Sequence, residues 1–397
     1  MPIKTLKLKK NEDRRIRTGH LWIYSNEVDA RQTPLKLFEA GEPVIIKDSR
    51  NNSLAMGYIN PHSLISVRIL SRNYSDTLNC DFLIRRLHNA LSLRQSLFSQ
   101  PFYRLVYGEA DALPGLVVDR YNQILVVQIT TQGMERIKDL ITEALMTVLR
   151  PDVIMYKNDS SIRQLEELDR YVEIAEGKTP ASIEVLENNT KYEINTLAAQ
   201  KTGWFYDHRS NRALTQKYVK DKRVLDVFSY VGSWGIQAAT AGAQEVVCLD
   251  SSKSAIQSLT HNAELNGVAQ KVHTIEKDAF DGLKELDETG EKFDVIIIDP
   301  PAFIKRKKDH AQGLTAYQRI NMLALRLLNN GGMLVSSSCS YHLKRTELMS
   351  SIVRANKGQH KWIQVIEQGH QGPDHPIHPA IPETEYLKSI FCRVSTL

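Results

Sequence analysis

Several features are missing from this 397-residue chain, and each absence disfavours a class of protein or a kind of site. No run of 18 or more apolar residues occurs, so no segment predicts a membrane span. The N-terminal stretch MPIKTLKLKKNEDRR lacks the apolar core of a secretion signal, which predicts residence in the cytoplasm. A zinc site and a disulfide framework are both disfavoured because the four cysteines form no CxxC pair: Cys80, Cys248, Cys339 and Cys392.

Cofactor motifs are also scarce. The GxGxxG fingerprint of dinucleotide-binding proteins does not occur, so a cradle for a pyrophosphate group has no support. Three histidines, His370, His375 and His378, stand close together in a proline-rich segment, without the regular spacing of a helix. That arrangement is typical of an ordered loop near a substrate opening, and we predict no metal site.

The positive charge is concentrated in one part of the chain. The formal net charge is +5, and residues 1–72 carry 13 Lys and Arg against 7 Asp and Glu. This excess of 6 leaves the rest of the chain close to neutral. A small basic module attached to a neutral body favours a partner with phosphate groups. A solvated surface that confers solubility explains the same charge equally well.

The length and patterning predict more than one domain. Apolar residues make up 42% of the chain and charged residues 24%, which is typical of globular proteins. Residues 1–73 contain short strand patterns separated by turn residues, which predict a small β-barrel or meander. Residues 74–189 mix helical and strand patterns and predict an α+β domain in which no chemistry is recognisable.

Two aromatic residues in the first region have two interpretations. Trp22 and Tyr24 are interleaved with basic residues in RRIRTGHLWIYSNEV. Aromatic rings can stack on unpaired bases while cations hold phosphates. Trp22 can equally close the core of the barrel, and the sequence leaves both interpretations open.

The third region, residues 190–397, alternates strand and helix patterns. This alternation predicts a mostly parallel sheet covered on both faces, a Rossmann-like α/β fold. In such sheets the ligand lies at the carboxyl ends of the strands, so the residues that end each strand are the ones to examine. Seven strands are predicted: RVLDVFS, EVVCLD, KVHTIEKD, FDVIIID, MLVSSSC, WIQVIEQ and SIFCRV.

Acidic residues follow four successive strands of this region. Asp250 is placed to accept both hydroxyls of a ribose, and Asp278 to accept a hydrogen bond from an adenine amino group. Asp226 and Asp299 end two other strands. Any one of these acids alone is usually a helix cap or a solvated turn, but the four together indicate a nucleoside site. Ribose and adenine without a pyrophosphate describe S-adenosylmethionine better than NAD.

Taken in order, the motifs resemble those of a known family. DVFSYVG, VVCLDSS, KDAF, IIIDPPAF and SSSCS are similar to the successive motifs of class I methyltransferases. GHLWIYSNEV and the segment from GEPVIIKD to LISVRIL resemble a PUA domain. YGEADALPGLVVDRY, KTGWFYDHRSNR and DHPIHPAIPETEYLK resemble further signatures of the bacterial 23S ribosomal RNA large-subunit methyltransferase I family. The resemblance covers nearly the whole chain.

The resemblance implies a PUA-like RNA-binding domain over residues 1–73, a central α+β domain over 74–189, and a methyltransferase domain over 190–397 that makes 5-methylcytosine. It also implies S-adenosylmethionine as the cofactor. The residues expected to bind it at the strand ends are Asp226, Phe228, Ser229, Tyr230, Gly232, Asp250, Ser251, Asp278 and Ala279.

A further segment, KTGWFYDHR, is expected to close over the methionine carboxylate of the cofactor through Lys201, Thr202 and Arg209. The chain departs from the family pattern at Ala112 and His208, where Gly and Gln are expected. His208 lies in the segment that would cover the cofactor, so this departure concerns the site itself.

Cytosine-5 methylation explains why a cysteine should end a strand. Carbon 5 is a poor nucleophile until a thiolate adds at C6 and makes the ring an enamine, so Cys339 is the predicted nucleophile. Asp299 is expected to hydrogen-bond the base at N3 or N4. Ala302 stands where another group of RNA cytosine-5 methyltransferases carries a second cysteine, so another base must remove the C5 proton. Tyr341 and His342 are candidates by proximity in the chain alone.

The expected partner is 23S ribosomal RNA, held by the PUA-like module and by the four cations of residues 305–308 in FIKRKKDH. No membrane partner is expected, and a homodimer remains open. Other functions remain possible from the sequence: methylation of uridine C5 or of an exocyclic nitrogen in RNA, or RNA binding without catalysis. A small-molecule methyltransferase would leave the basic module without a purpose.

Overall fold

The computed structural model describes residues 3–195 and 201–396. Contacts between Cα atoms divide these residues into two compact units. The first unit contains residues 3–181, 201–204 and 373–384. The second unit contains residues 182–195, 205–372 and 385–396. None of the helices among the described residues is both long enough and apolar enough to cross a bilayer.

The first sheet of the first unit has five strands in the order β1-β3-β4-β5-β2, with β1 parallel to β3 and the other pairs antiparallel. Its strands pack alternate apolar side chains into one core, which includes Leu6, Ile23, Val44 and Val67. The elements are β1 (Lys4–Lys7), α1 (Arg14–Arg17), β2 (Trp22–Tyr24), β3 (Glu42–Lys47), β4 (Ser53–Ile59) and β5 (Ile65–Ser71).

Trp22 lies at the edge of this core. Its ring is half-buried and packs against the apolar cluster, and its indole N–H donates a hydrogen bond to Glu109 Oε1 at 2.8 Å. An indole whose N–H is already paired and whose ring is packed contributes to the structure of the unit, which supports the second of the two interpretations of this residue.

The second sheet of the first unit also has five strands, in the order β10-β9-β8-β7-β6. Helices α2 and α4 pack together and share a core with it. The hairpin of β7 and β8 turns at Asn122, whose φ of 54° suits a short polar side chain. The elements are α2 (Cys80–Leu97), β6 (Phe102–Tyr107), β7 (Leu116–Tyr121), β8 (Ile124–Ile129), α3 (Gln132–Arg136), α4 (Lys138–Leu149), β9 (Val153–Asn158) and β10 (Tyr171–Glu176).

The second unit begins with a two-stranded hairpin, β11 (Ser182–Glu187) and β12 (Thr190–Asn195). The domain boundary expected between residues 189 and 190 falls at the turn of this hairpin, and both strands belong to the second unit. Glu187 at the end of β11 is buried and accepts two hydrogen bonds from Arg212, at 2.6 and 3.0 Å. This bidentate pair fixes the hairpin to helix α5 (Arg209–Thr215).

A seven-stranded sheet forms the body of the second unit, in the order β15-β14-β13-β16-β17-β19-β18. Only β19 runs against its neighbours. The predicted α/β class and the seven mostly parallel strands are therefore confirmed. The remaining elements are β13 (Arg223–Val227), α6 (Gly235–Thr240), β14 (Glu245–Asp250), α7 (Lys253–Leu265), β15 (Val272–Glu276), α8 (Ala279–Glu288), β16 (Phe293–Ile298), α9 (His310–Leu327), β17 (Leu328–Ser338), α10 (Arg345–Ala355), β18 (Lys361–Gly369) and β19 (Lys388–Thr396).

Candidate active site

The strand order creates a crevice at one edge of the seven-stranded sheet. From β13 the chain proceeds outward to β14 and β15, and then returns to place β16 on the other side of β13. Ligands of open α/β sheets bind at such a reversal, beyond the carboxyl ends of the strands. At this edge Val227 pairs with Leu249 on one side and with Ile298 on the other, and Ile298 pairs with Ser336. The predicted residues that follow these strands are thereby brought to one edge.

The loop after β13 is tightly wound. Phe228, Tyr230 and Gly232 have φ values of 65°, 50° and 89°. Two non-glycine residues in the left-handed region within three positions cost free energy, and such conformations cluster at ligand sites. The N–H of Gly232 donates to the carbonyl of Ser229 at 2.8 Å, which closes the turn. Glycine at position 232 is thus explained by its positive φ.

Asp250, the last residue of β14, has its carboxylate fixed by backbone amides. Oδ2 accepts from the N–H of Tyr230 at 2.9 Å, and Oδ1 accepts from the N–H of Ser252 at 2.9 Å. Each oxygen retains a further lone pair, so the carboxylate can accept two more hydrogen bonds while its orientation is held. This donor set suits the two adjacent hydroxyls of a ribose. Ser251 lies beside it and is exposed.

Asp226 is fully buried within β13. Its Oδ2 accepts from the N–H of Gly235 at 2.8 Å, whereas Oδ1 is buried without a hydrogen-bond partner among the described residues. The pKa of Asp226 is raised to about 7, chiefly by burial and also by the negative charges of Asp299 and Asp250, against the opposing effect of the Gly235 amide. An unpaired buried carboxylate oxygen at a ligand crevice suits a cationic donor.

Asp278 caps helix α8: its Oδ1 accepts from the N–H of Phe280 at 2.9 Å and of Asp281 at 3.4 Å. The cap fixes the first turn of the helix at the edge of the crevice. Ala279, in that turn, is buried. The structure therefore accounts for Asp278 as a cap, and its contact with an adenine amino group stays a prediction.

Asp299 follows β16 and is bracketed by two rings. Its Oδ2 accepts from the indole N–H of Trp234 at 3.0 Å. Its Oδ1 lies 3.1 Å from Nε2 of His208, although the two atoms lack the alignment of a hydrogen bond. The rings of His208 and Trp234 are themselves 5.1 Å apart. The carboxylate predicted to face the base is thus oriented by one indole and adjoins the imidazole that departs from the family pattern.

Cys339 lies directly after β17 in a loop held from both sides. The hydroxyl of Tyr317 on α9 is 2.7 Å from Oγ of Ser338 and 3.1 Å from Oγ of Ser340. Ser340 Oγ also accepts from the N–H of Ile304 at 3.3 Å, which ties this loop to the one after β16. We call Tyr317, Ser338 and Ser340 the serine clamp.

The exposure of the thiols distinguishes Cys339 from two other cysteines of this unit. Cys339 is partly exposed, and its Sγ lies 4.0 Å from the carbonyl oxygen of Pro300. Cys248 and Cys392 are completely buried in the sheet, and burial raises the pKa of both thiols, for Cys392 to about 12. Only a thiol that reaches the surface of the crevice can act on a substrate, so Cys339 is the candidate nucleophile.

The segment expected to close over the cofactor is divided between the units. Thr202 is a buried residue of the first unit, and its carbonyl accepts from the hydroxyl of Tyr121 at 3.2 Å. Lys201 is exposed with a φ of 51°. Arg209 begins α5 in the second unit, and its Nε lies 3.5 Å from Glu187. The predicted contacts of these three residues with the cofactor stay predictions.

Some residues of the site have no clear signal in the sequence. The sequence does not distinguish Trp234 and Tyr317 from other aromatic residues. The fold brings the indole of Trp234 to Asp299 and the hydroxyl of Tyr317 between two serines. The serines themselves were visible as the run SSSCS, but their role as a clamp depends on α9. No group of three or more His, Cys, Asp and Glu side chains that could hold a metal ion occurs among residues 3–195 and 201–396.

Comparison with known proteins identifies the family. A family model for a PUA-like domain matches residues 6–72, and a model for an S-adenosylmethionine-dependent methyltransferase matches residues 158–383. Ribosomal RNA large subunit methyltransferase I of Aliivibrio fischeri (strain MJ11) is 36% identical over 393 residues, which cover 98% of each chain. The chain belongs to this methyltransferase family. The relative of the same name from Tolumonas auensis is also 36% identical, over 98% of this chain and 99% of its own.

A solved structure of similar fold covers almost the whole chain. A protein of Streptococcus mutans, provisionally assigned as a SAM-dependent methyltransferase, superposes with a TM-score of 0.83 over 98% of this chain and 100% of its own. At 19% identity this likeness shows the shared fold alone.

The residues at the crevice fit the cofactor of this family, S-adenosylmethionine. The fixed carboxylate of Asp250 offers acceptors for ribose hydroxyls. The unpaired Oδ1 of Asp226 and the buried, unpaired Oγ of Ser229 offer polar atoms that the described residues leave without a hydrogen bond. Two carboxylates beside a cationic cofactor supply the complementary charge.

Replacing Asp250 by alanine is expected to weaken the binding of S-adenosylhomocysteine about 10- to 100-fold, because hydrogen bonds to a charged group contribute about 1.5–3 kcal/mol. Isothermal titration calorimetry measures the change. Glu245 at the opposite end of the same strand pairs with Arg223, so Glu245→Ala is the matched control and should keep the parent affinity. An unchanged affinity in Asp250→Ala would show that this carboxylate does not bind the cofactor.

Proposed function

We propose that this enzyme forms 5-methylcytosine in 23S ribosomal RNA through a covalent bond between Cys339 and the base. The observation that carries the proposal is the placement of a partly exposed thiol at the carboxyl edge of the sheet, in a loop clamped beside Asp299. Methylation of an exocyclic nitrogen requires no such nucleophile, whereas methylation at carbon 5 of a pyrimidine does.

The proposed reaction proceeds through a covalent adduct between Cys339 and the cytosine. The thiolate of Cys339 adds to C6 of cytosine, the C5–C6 π bond breaks, and its electron pair becomes available at C5. Bound S-adenosylmethionine would supply the electrophilic methyl group: C5 bonds to the methyl carbon as its bond to sulfur breaks, with S-adenosylhomocysteine as the leaving group. A general base then takes the proton from C5, the double bond re-forms, and the bond between C6 and Sγ breaks to release the thiolate of Cys339.

Asp299 is proposed to hydrogen-bond the cytosine at N3 or N4. Its carboxylate is oriented by the indole of Trp234, and a preoriented group stabilises developing charge at little reorganisation cost. Asp299 follows a strand adjacent to the one that precedes Cys339, so both groups can address one ring. The proximity of His208 to Oδ1 limits how this carboxylate can turn.

Ribosomal RNA is the proposed substrate because the curated relatives carry it in their names and because the chain offers cations for phosphates. Residues 305–308 are four exposed cations in the loop after β16, which also contributes Ile304 to the Cys339 loop. Exposed Lys and Arg beside a catalytic loop suit the phosphates that flank an extruded nucleotide. The basic N-terminal module adds a second contact with RNA, and a cytoplasmic enzyme would meet this substrate.

Mapping methylated nucleosides in ribosomal RNA from cells with and without the gene tests the proposal. We expect one 5-methylcytosine in 23S RNA to disappear when the gene is deleted and to return when it is restored. Nucleoside mass spectrometry separates this product from 5-methyluridine and from N-methylated bases. Loss of a different modification would redirect the proposal to another atom of the RNA, and no loss at all would contradict it.

RNA that contains 5-fluorocytidine should trap the enzyme. A base can remove a proton from C5 but cannot remove fluorine in the same way. After methyl transfer to that carbon, the bond between C6 and Cys339 therefore stays intact. We expect a band of slower mobility on a denaturing gel that requires S-adenosylmethionine, with the adduct located on the peptide that contains Cys339. An adduct on another cysteine, or none while the RNA is methylated, would contradict the covalent role of Cys339.

A further inference from the structure

A buried lysine lies next to the nucleophile loop. Lys388 begins β19 and pairs in register with Ser338 on β17. Its side chain is 6% exposed, and its Nζ donates to the carbonyl of Ser340 at 2.6 Å and to that of Tyr386 at 2.7 Å. The ammonium group therefore lies one peptide unit from Cys339 and is fixed by two carbonyl oxygens.

This lysine forms no ion pair with a carboxylate among residues 3–195 and 201–396, where the only acceptors within hydrogen-bonding distance of its Nζ are the two carbonyls. A buried ammonium without a counter-ion is costly, and a fold retains such a group where its charge has a use. Two titratable residues flank Ser340 in the chain, Cys339 and Tyr341, and of these the thiol of Cys339 is the one whose charge acts on Lys388.

We propose that Lys388 is a positioning residue for the nucleophile: it holds the Cys339 loop through the carbonyl of Ser340 and stabilises the thiolate of Cys339 by its charge. This inference rests on the proposed function, in which Cys339 adds to the base. Lys388 holds this loop through a backbone carbonyl, whereas the serine clamp holds it through side-chain hydroxyls.

The charges around Lys388 define the pH range of the effect. The pKa of Lys388 is lowered to about 8, chiefly by burial and also by the charge of Arg345. The thiolate of Cys339 and the carboxylates of Glu385 and Glu347 oppose this shift. The interaction of two titrating groups is mutual, so an ammonium favoured by the thiolate favours the thiolate in return. The ammonium of Lys388 is present below about pH 8 and is lost above it. Lys388 therefore stabilises the thiolate of Cys339 at neutral pH.

The rate of alkylation of Cys339 by iodoacetamide, followed by peptide mass spectrometry from pH 6 to 9.5, tests this proposal without RNA or methyl transfer. In Lys388→Met we expect alkylation at pH 7 to be about tenfold slower and the midpoint of the pH profile to rise by about one unit. Lys388→Arg keeps the charge and should restore most of the rate at pH 7.

A half-buried lysine in the same sheet provides the control. Lys361 on β18 also donates to two carbonyls, those of Leu325 and Leu328, and burial lowers its pKa as well. Because Cys339 is not among the groups that act on Lys361, Lys361→Met should leave the alkylation profile of Cys339 as in the parent. A general effect of removing a lysine that donates to two carbonyls would appear in both variants.

An unchanged midpoint in a Lys388→Met protein that still binds S-adenosylhomocysteine would overturn the proposal. If that variant fails to bind, the parent protein decides: its Cys339 midpoint must lie below about 8.5, the value of an unperturbed cysteine, and a midpoint at or above it overturns the proposal. If the midpoint shifts as expected but 5-fluorocytidine RNA traps no adduct, Lys388 keeps its electrostatic role and the proposed function fails instead.

Discussion

Replacing Cys339 by alanine is expected to lower kcat for methyl transfer by at least about 10³-fold, while the affinity for S-adenosylhomocysteine stays within about twofold of the parent value. Without the thiolate, C5 of the base has no activated electron pair. The carboxylates of Asp250 and Asp226, which fit the cofactor, are held by the backbone amides of Tyr230 and Gly235. Transfer of a radiolabelled methyl group to 23S RNA and calorimetry measure the two quantities.

Cys80→Ala is the control for general effects of removing a thiol. Cys80 is partly exposed at the start of α2 in the first unit, so its removal should leave kcat unchanged. Full turnover by Cys339→Ala would exclude the covalent route and leave a methyltransferase that acts on another atom. Loss of cofactor affinity in this variant would instead mean that position 339 contributes to the cofactor site.

The sheet of the second unit could be predicted because its central strands, such as β13 and β16, are buried on both faces. Continuous apolar runs such as FDVIIID fall on β16, and the seven predicted strands match β13 to β19 in order. Helix α8 carries a weaker signal in the sequence, since Gly282 within it weakens the helical pattern. The structure explains the glycine: a Cβ there would lie 2.7 Å from Leu249, so α8 packs closely on β14.

Two short strands of the first unit carry little signal in the sequence, for a different reason. β1 and β2 have four and three residues, too few for an alternating pattern to stand out. They become strands because β1 pairs with β3 and β2 pairs with β5, far away in the sequence. Pairing of this kind is a property of the tertiary structure, and local sequence carries little of it.

The candidate site also contains residues that could be predicted from the sequence and residues that could not. Asp226, Asp250, Asp299 and Cys339 could be placed together because parallel strands bring their carboxyl ends to one edge. Lys388 lies 48 residues beyond Ser340 in the chain, and only the antiparallel pairing of β17 with β19 brings it to the loop. The environment of a nucleophile is assembled from such distant segments, so its charges cannot be read from the motif alone.

Replacing Asp226 by asparagine is expected to change the pH dependence of stability in the cofactor-free protein. The pKa of Asp226 rises on folding from an ordinary 3.8 to about 7, mainly through burial. A rise of about 3 units corresponds to about 4 kcal/mol, of which about 2–3 kcal/mol falls between pH 5 and pH 8. Because the folded-state pKa is the higher one, this stability is fully present below pH 3.8 and is lost as the pH rises through 7.

The free energy of unfolding of Asp226→Asn should therefore gain about 2–3 kcal/mol relative to the parent between pH 5 and pH 8, as measured by denaturant titration of the cofactor-free proteins. Asp281→Asn is the control, since Asp281 is exposed on α8 and water solvates its carboxylate in both states. A constant difference between Asp226→Asn and the parent across this range would contradict the burial of an ionisable Asp226.

Saturating S-adenosylmethionine separates a ligand-binding role of Asp226 from a purely structural one. A cationic ligand favours the ionised carboxylate, so it should stabilise the parent at pH 8 more than it stabilises Asp226→Asn. If the cofactor stabilises both proteins equally at pH 8, the unpaired Oδ1 of Asp226 is not a contact of the cofactor. The affinity of the crevice for the cofactor would then come from Asp250 and the loop after β13. The buried carboxylate of Asp226 would destabilise the folded protein at pH 8 with no compensating interaction with the cofactor.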